Sequence, residues 1–577
     1  MNLSKTCFSL LLLIFIPSAF LSRCVQKSNL PAGDRNNGGL FLPAGFEAVV
    51  VADSIGHARH LAVNKNGDIY VKLTYAKQDS GNVAIRDGNN DGKADQIAYF
   101  GDYKAESGYG PTGMRIYKDY LYFSTKGAVY RQKLSPDKLL PDSKIELVLT
   151  DNYLTEHIGK SLAFDDDGHM YVNFGSISNN CQIDNRIPGS PGQYPCAELA
   201  EHAGIWMFDA NKLNQTQKDG VRYATGLRDG IAMDWNHATH TLFAVEHGRD
   251  GLHQTWPSLY SEWESTVLPS EEFFEVKKGM NGGWPYYYYD QLQNKKMVAP
   301  EYRGVDLKAV DKPADPIMGF PGHWAPNDLF FYTGDQFPDH YKNGAFIAFH
   351  GSSNRAPYPQ SGFFIGFVPF KNGAPSGSWE VFADGFAELE TIVSSSEAAH
   401  RPMGIAMGPD GSLYVSDITT GKIWRIMFKG NKDNFGRDQL AKMENRKMLT
   451  HLKTPDKVKD NLVKGIADDG RRIYTVYCIS CHQENGKGDG SRFPPLEGSD
   501  WVTGDKKRLI TVLLEGLKGP IRVNGKLFNG EMPKHDFLSD ADISKVTSYI
   551  RLNFNNNAGA ILEKEVANVR NQLKGKP

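Results

Sequence analysis

At 577 residues the chain is too long for one hydrophobic core, so at least two domains are expected. Its 65 Lys and Arg against 67 Asp and Glu leave a formal charge of −2, which gives no electrostatic case for nucleic acid or for an anionic membrane surface. Hydrophobic residues make up 40%, enough to bury sizeable cores and too evenly spread for a chain built of membrane spans.

Residues 1–24 carry Lys5, an apolar run from Phe8 to Phe20 and a small-residue stretch. The run is too short to cross a bilayer and reads as a secretory signal. It ends Leu21-Ser22-Arg23-Cys24, which reads as a lipoprotein processing box with Cys24 as the acylated residue, although Arg23 stands where such boxes hold a small residue. The alternative is a secreted chain with Cys24 incidental. The expected location is the periplasm or cell envelope, with membrane contact only through that anchor.

From about 40 to 430 a unit recurs six times: a small apolar run, a turn, then a strand of aromatic and β-branched residues. The pairs are Arg59–Val63 with Ile69–Val71, Thr112–Met114 with Tyr120–Phe123, and Lys160–Phe164 with Met170–Val172. They continue with Asp229–Met233 and Leu242–Val245, Asn327–Phe331 and Ala345–Phe349, and Gly404–Met407 and Leu413–Val415. Asn66-Gly67, Asp167-Gly168 and Asp410-Gly411 supply hairpin turns. Long regular spacing of such hairpins argues a radial array, hence a mainly β, six-bladed β-propeller with ligands at the mouth of its central channel. A β-sandwich would not explain the sixfold period.

Within the first unit, Asp87-Gly88-Asn89-Asn90-Asp91-Gly92-Lys93-Ala94-Asp95 alternates oxygen-bearing side chains around Gly92. That resembles the start of an EF-hand loop and makes Asp87, Asn89, Asp91 and Asp95 candidate calcium ligands; a polar turn is the alternative. Cys181 and Cys196 stand in a Gly/Pro-rich loop, and in an oxidising compartment they are expected to form a disulfide. A long insertion, about Gly251 to Trp324, is rich in aromatics (Trp256, Trp263, Trp284, Tyr286 to Tyr289) and reads as a pocket wall or as blade decoration.

Arg59, His157, Arg228, His350 with Arg355, and Arg401 stand just before an inner strand or just after a second strand, positions that face one end of the channel. Guanidinium groups converging from separate blades suit a flat polyanion, because each pairs bidentately with a planar carboxylate.

The segments His157-Ile158-Gly159-Lys160-Ser161-Leu162, Gly226-Leu227-Arg228-Asp229-Gly230, Asn281-Gly282-Gly283-Trp284-Pro285, His350-Gly351-Ser352-Ser353-Asn354-Arg355 and Arg401-Pro402-Met403-Gly404 resemble the glucose/sorbosone dehydrogenase family. Its members are propeller quinoproteins that use pyrroloquinoline quinone (PQQ). The resemblance implies His157 as general base, Arg228 as stabiliser of charge on the quinone oxygen, and Arg59, Arg355 and Arg401 as partners of PQQ carboxylates, with His350 beside them. It also implies a calcium ion on the quinone, with backbone carbonyls near Gly248 among its ligands. Two departures stand out: Ser353 where the family often has Trp, and His247-Gly248-Arg249-Asp250 without a Gly-Pro pair.

Residues 431–465 are rich in Lys, Asp and Asn, with a helical stretch near Arg437–Leu452, and read as a linker lying against the propeller. Then comes Cys478-Ile479-Ser480-Cys481-His482, with Met532-Pro533 fifty residues on. Two thiols at this spacing add to the vinyl groups of one haem, His482 reaches the iron, and Met532 supplies the opposite axial ligand. Half a zinc site is the alternative, but no second Cys pair follows. Arg471 to Tyr477 reads as the helix that delivers the thiols, and Pro494-Pro495 as the source of a carbonyl for the other ring nitrogen of His482. Asp540 to Phe554 reads as a closing helix capped by Ser539 or Asp540. Residues 466–556 resemble a class I cytochrome c, small and all-α, of the kind fused to quinoprotein dehydrogenases, and 557–577 are expected to be a loosely held tail.

The expected activity is oxidation of a sugar or related polyol or aldehyde at PQQ, with electrons passed to haem c and then to a downstream cytochrome or respiratory acceptor. The expected cofactors are PQQ, haem c and calcium. The rival readings are a carbohydrate-binding or lactonase-like propeller without quinone that carries an electron-transfer cytochrome.

Overall fold

A computed structural model describes residues 30–102, 112–151, 156–310, 312–456 and 469–574. The signal segment and Cys24 lie outside the described residues, as do residues 457–465 of the linker and the first three of the segment that follows it.

Six sheets radiate about one axis. Blade 1 holds Ala58–Val63, Ile69–Lys77, Ser80–Arg86 and Gln96–Phe100; blade 2 holds Met114–Tyr117, Tyr120–Ser124, Ala128–Lys133 and Glu146–Thr150. Blade 3 holds Leu162–Phe164, His169–Phe174, Gly204–Asp209 and Val221–Thr225, and blade 4 holds Ala232–Asn236, Thr241–Glu246, Glu271–Val276 and Met318–Phe320. Blade 5 holds Pro326–Phe331, Ala345–Phe349, Phe364–Val368 and Glu380–Ala383. In blade 6, Pro402–Met407, Leu413–Asp417 and Ile423–Phe428 are completed by Phe46–Ala52, which pairs antiparallel with Ile423–Phe428. The chain thus closes the ring with its own first strand, leaving no open blade edge between start and finish.

Each repeated pair read from the sequence becomes the inner two strands of a blade. The turns form because Gly67, Gly168 and Gly411 take φ of 91°, 103° and 84°, a region costly for any residue with a Cβ. Second strands such as Ala345–Phe349 and Leu413–Asp417 are buried on both faces, since each blade is packed between two others. Between blades 5 and 6 the fill is aromatic: Phe46 meets Phe337, Tyr341, Phe382 and Phe428 edge-on at 4.8–5.4 Å.

The insertion folds into the helices Leu252–Thr255 and Glu262–Val267 and a ribbon of Tyr287–Asp290 with Lys295–Val298. Together with the 181–203 loop it builds a separate apolar cluster around Trp263, Trp284, Tyr286, Tyr302 and the Cys181–Cys196 disulfide. It is therefore a packed cap on the propeller.

The linker helix, Arg437–Arg446, is shorter than its sequence suggested. It docks Met443 into the propeller core, and His451 Nε2 lies 2.9 Å from Asp384. The C-terminal portion packs Asp469–Tyr477 against Asp540–Leu552, with Ser539 as N-cap, and adds Lys506–Glu515. It is helical with two small ribbons, Leu517–Lys518 with Glu531–Met532 and Ile521–Val523 with Lys526–Phe528, where only helices were expected. The expected loose tail is instead a helix, Glu563–Lys574. Val566 and Val569, three residues apart on one face, complete the core, and Arg570 Nε bonds Asp540 at 2.7 Å.

Candidate active site

Propeller geometry gathers residues that sit at equivalent places in different blades. Arg228 and Arg401 precede the inner strands of blades 4 and 6, Arg59 lies at the start of that of blade 1, and His157 enters blade 3. His247 and His350 follow the second strands of blades 4 and 5. All stand at one end of the channel.

Arg228 is buried and organises the mouth. Its Nε donates to the Asn179 carbonyl (3.1 Å), Nη1 to the Gly248 carbonyl (2.9 Å), and Nη2 to Asn179 Oδ1 (2.9 Å) and Asp250 Oδ2 (3.0 Å). Asp250 also accepts from Arg186 Nη2 at 3.3 Å and from Asn354 Nδ2 at 2.8 Å. Burial pushes its carboxyl up, but Arg228, His323 and Arg186 outweigh burial and hold it well below the usual carboxylate range.

His157 Nδ1 lies 3.0 Å from the Ser176 carbonyl and 2.9 Å from Ser176 Oγ, whose own proton goes to the Ser178 carbonyl. Both contacts accept, so Nδ1 carries the proton and Nε2 is left as the basic atom. Burial, and then the neighbouring Arg228, hold the imidazole well below its ordinary pKa, so it is neutral at pH 7.

His350 Nδ1 accepts from Arg401 Nη2 at 2.9 Å, which places the ring proton on Nε2. That Nε2–H is buried and has no hydrogen-bond partner among the described residues. Arg401 also donates to the carbonyls of His350 and Gly351 (3.2 and 2.6 Å), and Arg59 Nη2 donates to Thr112 Oγ1 at 2.7 Å. Burial, then Arg401, Arg59 and His247, keep His350 uncharged. The mouth is thus a ring of fixed cations and neutral imidazoles, with a buried donor that calls for an acceptor from outside the chain. That donor set fits a flat polycarboxylate such as PQQ.

Arg355 is 1% exposed, its guanidinium nitrogens have no hydrogen-bond partner among the described residues, and burial alone lowers its pKa to about 9. These buried donors, like the Nε2–H of His350, call for an acceptor from outside the chain. Its backbone is held under the insertion, with its amide bonded to Gln360 Oε1 and its carbonyl to Thr266 Oγ1. The Gly248 carbonyl, read as a calcium ligand, is engaged by the cationic Arg228.

The 87–95 loop is closed by its own bonds: Asp95 accepts from the amides of Gly88 and Asn89, Asp87 from that of Gly92, and Asp91 from that of Lys93. Asp91 and Asp95 meet through Asn89 Nδ2, which lies 3.2 Å from an oxygen of each, and Asp87 does not join them. Among the described residues the one group of three or more His/Cys/Asp/Glu close enough to share an ion is Cys181, Cys196 and Glu198, and the disulfide has consumed those sulfurs. Spacing alone could not show where these oxygens point.

Asp250, His247 and Asn179 were missed by sequence reasoning. Asp250 stands in the loop after the second strand of blade 4, the same class of position as His350, and that equivalence was the available signal.

In the C-terminal portion Cys478 and Cys481 are unpaired thiols beside His482, in a crevice that Met532 also lines. His482 Nδ1 donates to the Pro494 carbonyl at 3.0 Å, which leaves Nε2 for a metal. Val502, Leu513, Val546 and Ile550 give that crevice an apolar wall, and the ribbon Leu517–Lys518/Glu531–Met532 presents Met532. This set fits a haem attached through two thioethers with His/Met axial ligands.

Comparison with known proteins bears on both domains. The TrAA12-like family pattern matches residues 40–429, and that of cytochrome c matches residues 467–553. The fold is similar to a Trichoderma reesei carbohydrate-active enzyme of family AA12 solved with iodide (TM-score 0.57, 19% identity, 68% of this chain and 98% of that one). It is also similar to the holo form of the PQQ domain of pyranose dehydrogenase from Coprinopsis cinerea (TM-score 0.53, 17% identity, 67% and 97%). Cytochrome c-552 from Thermus thermophilus is 42% identical over 86 residues, which are 14% of this chain and 65% of that protein. The chain therefore belongs to the TrAA12-like family and joins that propeller to a cytochrome c domain.

Proposed function

We propose that the chain is a quinohaemoprotein dehydrogenase that oxidises a sugar or related polyol or aldehyde. PQQ bound at the channel mouth supplies the two-electron acceptor, and haem in the crevice carries the electrons onward one at a time. Arg59, Arg401 and the Nε2–H of His350 would hold the quinone's carboxylates and oxygens. His157 Nε2 takes the proton from the substrate hydroxyl, while the Ser176 carbonyl on Nδ1 fixes the tautomer that makes this possible. Arg228, rigid between Asn179, Gly248 and Asp250, offers a cation where negative charge develops.

The observation that carries this reading is one loop. His350, bonded to Arg401, begins it, and Pro357, Tyr358 and Pro359 of the same loop line the haem crevice. Six residues lie between His350 and Pro357, so the loop that begins at one proposed site runs on to line the other.

The Cys181–Cys196 disulfide and the thioether-type haem motif support an oxidising, extracytoplasmic location, and Cys24 is the proposed lipid anchor. A cytochrome or respiratory carrier is the proposed final acceptor.

The deciding experiment adds PQQ and calcium to haem-loaded protein and then a panel of aldoses and polyols, while the reduced haem band is followed. At least one sugar should reduce the haem with quinone present and none without it. If no sugar does so, a carbohydrate-binding propeller carrying a cytochrome is the better description.

A further inference from the structure

The haem crevice is not closed by the cytochrome alone. Pro357, Tyr358 and Val393, all from the propeller, form part of its rim. Tyr358 is 4% exposed, and its ring lies 5.7 Å from that of Tyr477, the residue before the first haem cysteine. The Tyr477 ring in turn lies 6.2 Å from His535, which lines the crevice three residues after Met532. An aromatic file therefore runs from the propeller loop to the edge of the haem cavity.

Beside it stands an ionic clasp. Arg492 Nη2 is 2.8 Å from Glu397 Oε2 and its Nη1 donates to the Thr391 carbonyl at 2.9 Å. Both side chains are largely shielded, 20% and 16% exposed. Glu397 also accepts from the Val393 amide, which ties the clasp to the rim itself.

We infer that this propeller surface is a built-in docking face for the haem edge. Tyr358 and Tyr477 act as positioning residues that hold that edge against the loop leading back to His350. The inference rests on the proposed dehydrogenase reading for its electron source, but the docking is a property of the haem-loaded chain by itself. Each passage across the face takes one electron from the reduced two-electron cofactor and turns one ferric iron to ferrous. Two passages restore the oxidised cofactor with release of two protons, and an external one-electron acceptor reoxidises the iron. Because the docked edge is covered, that acceptor must approach the haem from another side.

The test uses the full haem-loaded chain and two variants, Glu397→Gln and Tyr358→Ala. Without quinone or sugar, amide hydrogen exchange is read over 356–360 and 474–482, and both variants should exchange about tenfold faster there, as expected when a docked module reverts to tethered encounter. With PQQ, calcium and an oxidised sugar, reduction of the haem should slow about tenfold in both variants. Reduction of a small dye that takes electrons directly at the propeller should be unchanged in Glu397→Gln, and so should the haem potential. Exchange identical to wild type in both variants, or haem reduction at the wild-type rate, overturns the inference. If no sugar reduces either dye or haem, the dehydrogenase reading fails instead, and the exchange result decides the docking face.

Discussion

Arg115 and Asp328 meet across the propeller channel: Nη2 of the first, from blade 2, lies 2.5 Å from Oδ1 of the second, from the opposed blade 5. Asp328 also accepts from the Ile405 amide of blade 6 at 2.8 Å and stands 3.7 Å from His60 of blade 1. One buried carboxylate thus fastens three blades at the axis, while His60 bonds the neighbouring Asn327 carbonyl at 2.7 Å. Asp328→Ala removes the hydrogen-bonded partner of the buried Arg115 and leaves it only the attraction of Asp234, and a loss of about 3–5 kcal/mol is expected. Chemical denaturation followed by far-ultraviolet dichroism checks it, and a loss under 1 kcal/mol would show the bridge to be ornamental.

His157→Gln removes the basic atom but keeps a polar side chain of similar reach. Sugar turnover should fall by about 10²–10⁴-fold, with the haem spectrum and PQQ binding retained. A variant that keeps a tenth of the activity would assign the proton transfer elsewhere.

The same histidine sets a pH limb. Its folded pKa is depressed, so the neutral base persists below pH 6.5 and activity is lost only as pH falls through the folded value. Arg228 contributes to that depression. In Arg228→Met the acidic limb of kcat/KM should therefore move towards higher pH even though the residual rate is small. A limb that stays in place or moves lower would contradict the electrostatic link.

His60 is fully buried, and burial, the largest influence, lowers its pKa from 6.5 to about 4. The unfolded chain binds a proton there that the folded chain refuses. Stability is therefore complete above pH 6.5 and is lost as pH falls towards 4, by about 3 kcal/mol from this group. His60→Gln should flatten the acid side of the stability profile, measured as the denaturant midpoint between pH 7 and 4.

Met532→Ala removes the thioether that lines the crevice together with His482. The haem should stay covalently attached through Cys478 and Cys481 but lose its low-spin His/Met signature, and its reduction potential should fall. Potentiometric titration and the ferric absorption spectrum report both.

The propeller was legible because its signals are local and repeated: a dipeptide turn and an inner strand of small apolar residues recur six times, and the rule for where loops emerge does the rest. The haem pocket was legible for the opposite reason, since covalent attachment demands a fixed spacing, and Pro494 followed from the need of His482 for an acceptor. The misreadings share one cause, that spacing gives a side chain's address and not its aim. The 87–95 oxygens have metal-like spacing and spend themselves on nearby amides. Asp250 has no motif, and its importance comes from Arg228 at the entry to its own blade and from Arg186 and Asn354 arriving from neighbouring ones. The terminal helix did have a signal, since Val566 and Val569 lie on one face between acidic and basic ends, but it was outweighed by its position at the chain end.

Because Phe46–Ala52 finds its partner only in Ile423–Phe428, nearly four hundred residues later, the ring is a clasped bracelet with no stable half. A ribosome must have passed the sixth blade before the first strand has anywhere to go, and until then an unpaired edge stands open to any stray strand. Trimming a few residues from that early segment would therefore injure the far end of the propeller, next to the helix that leads on to the cytochrome.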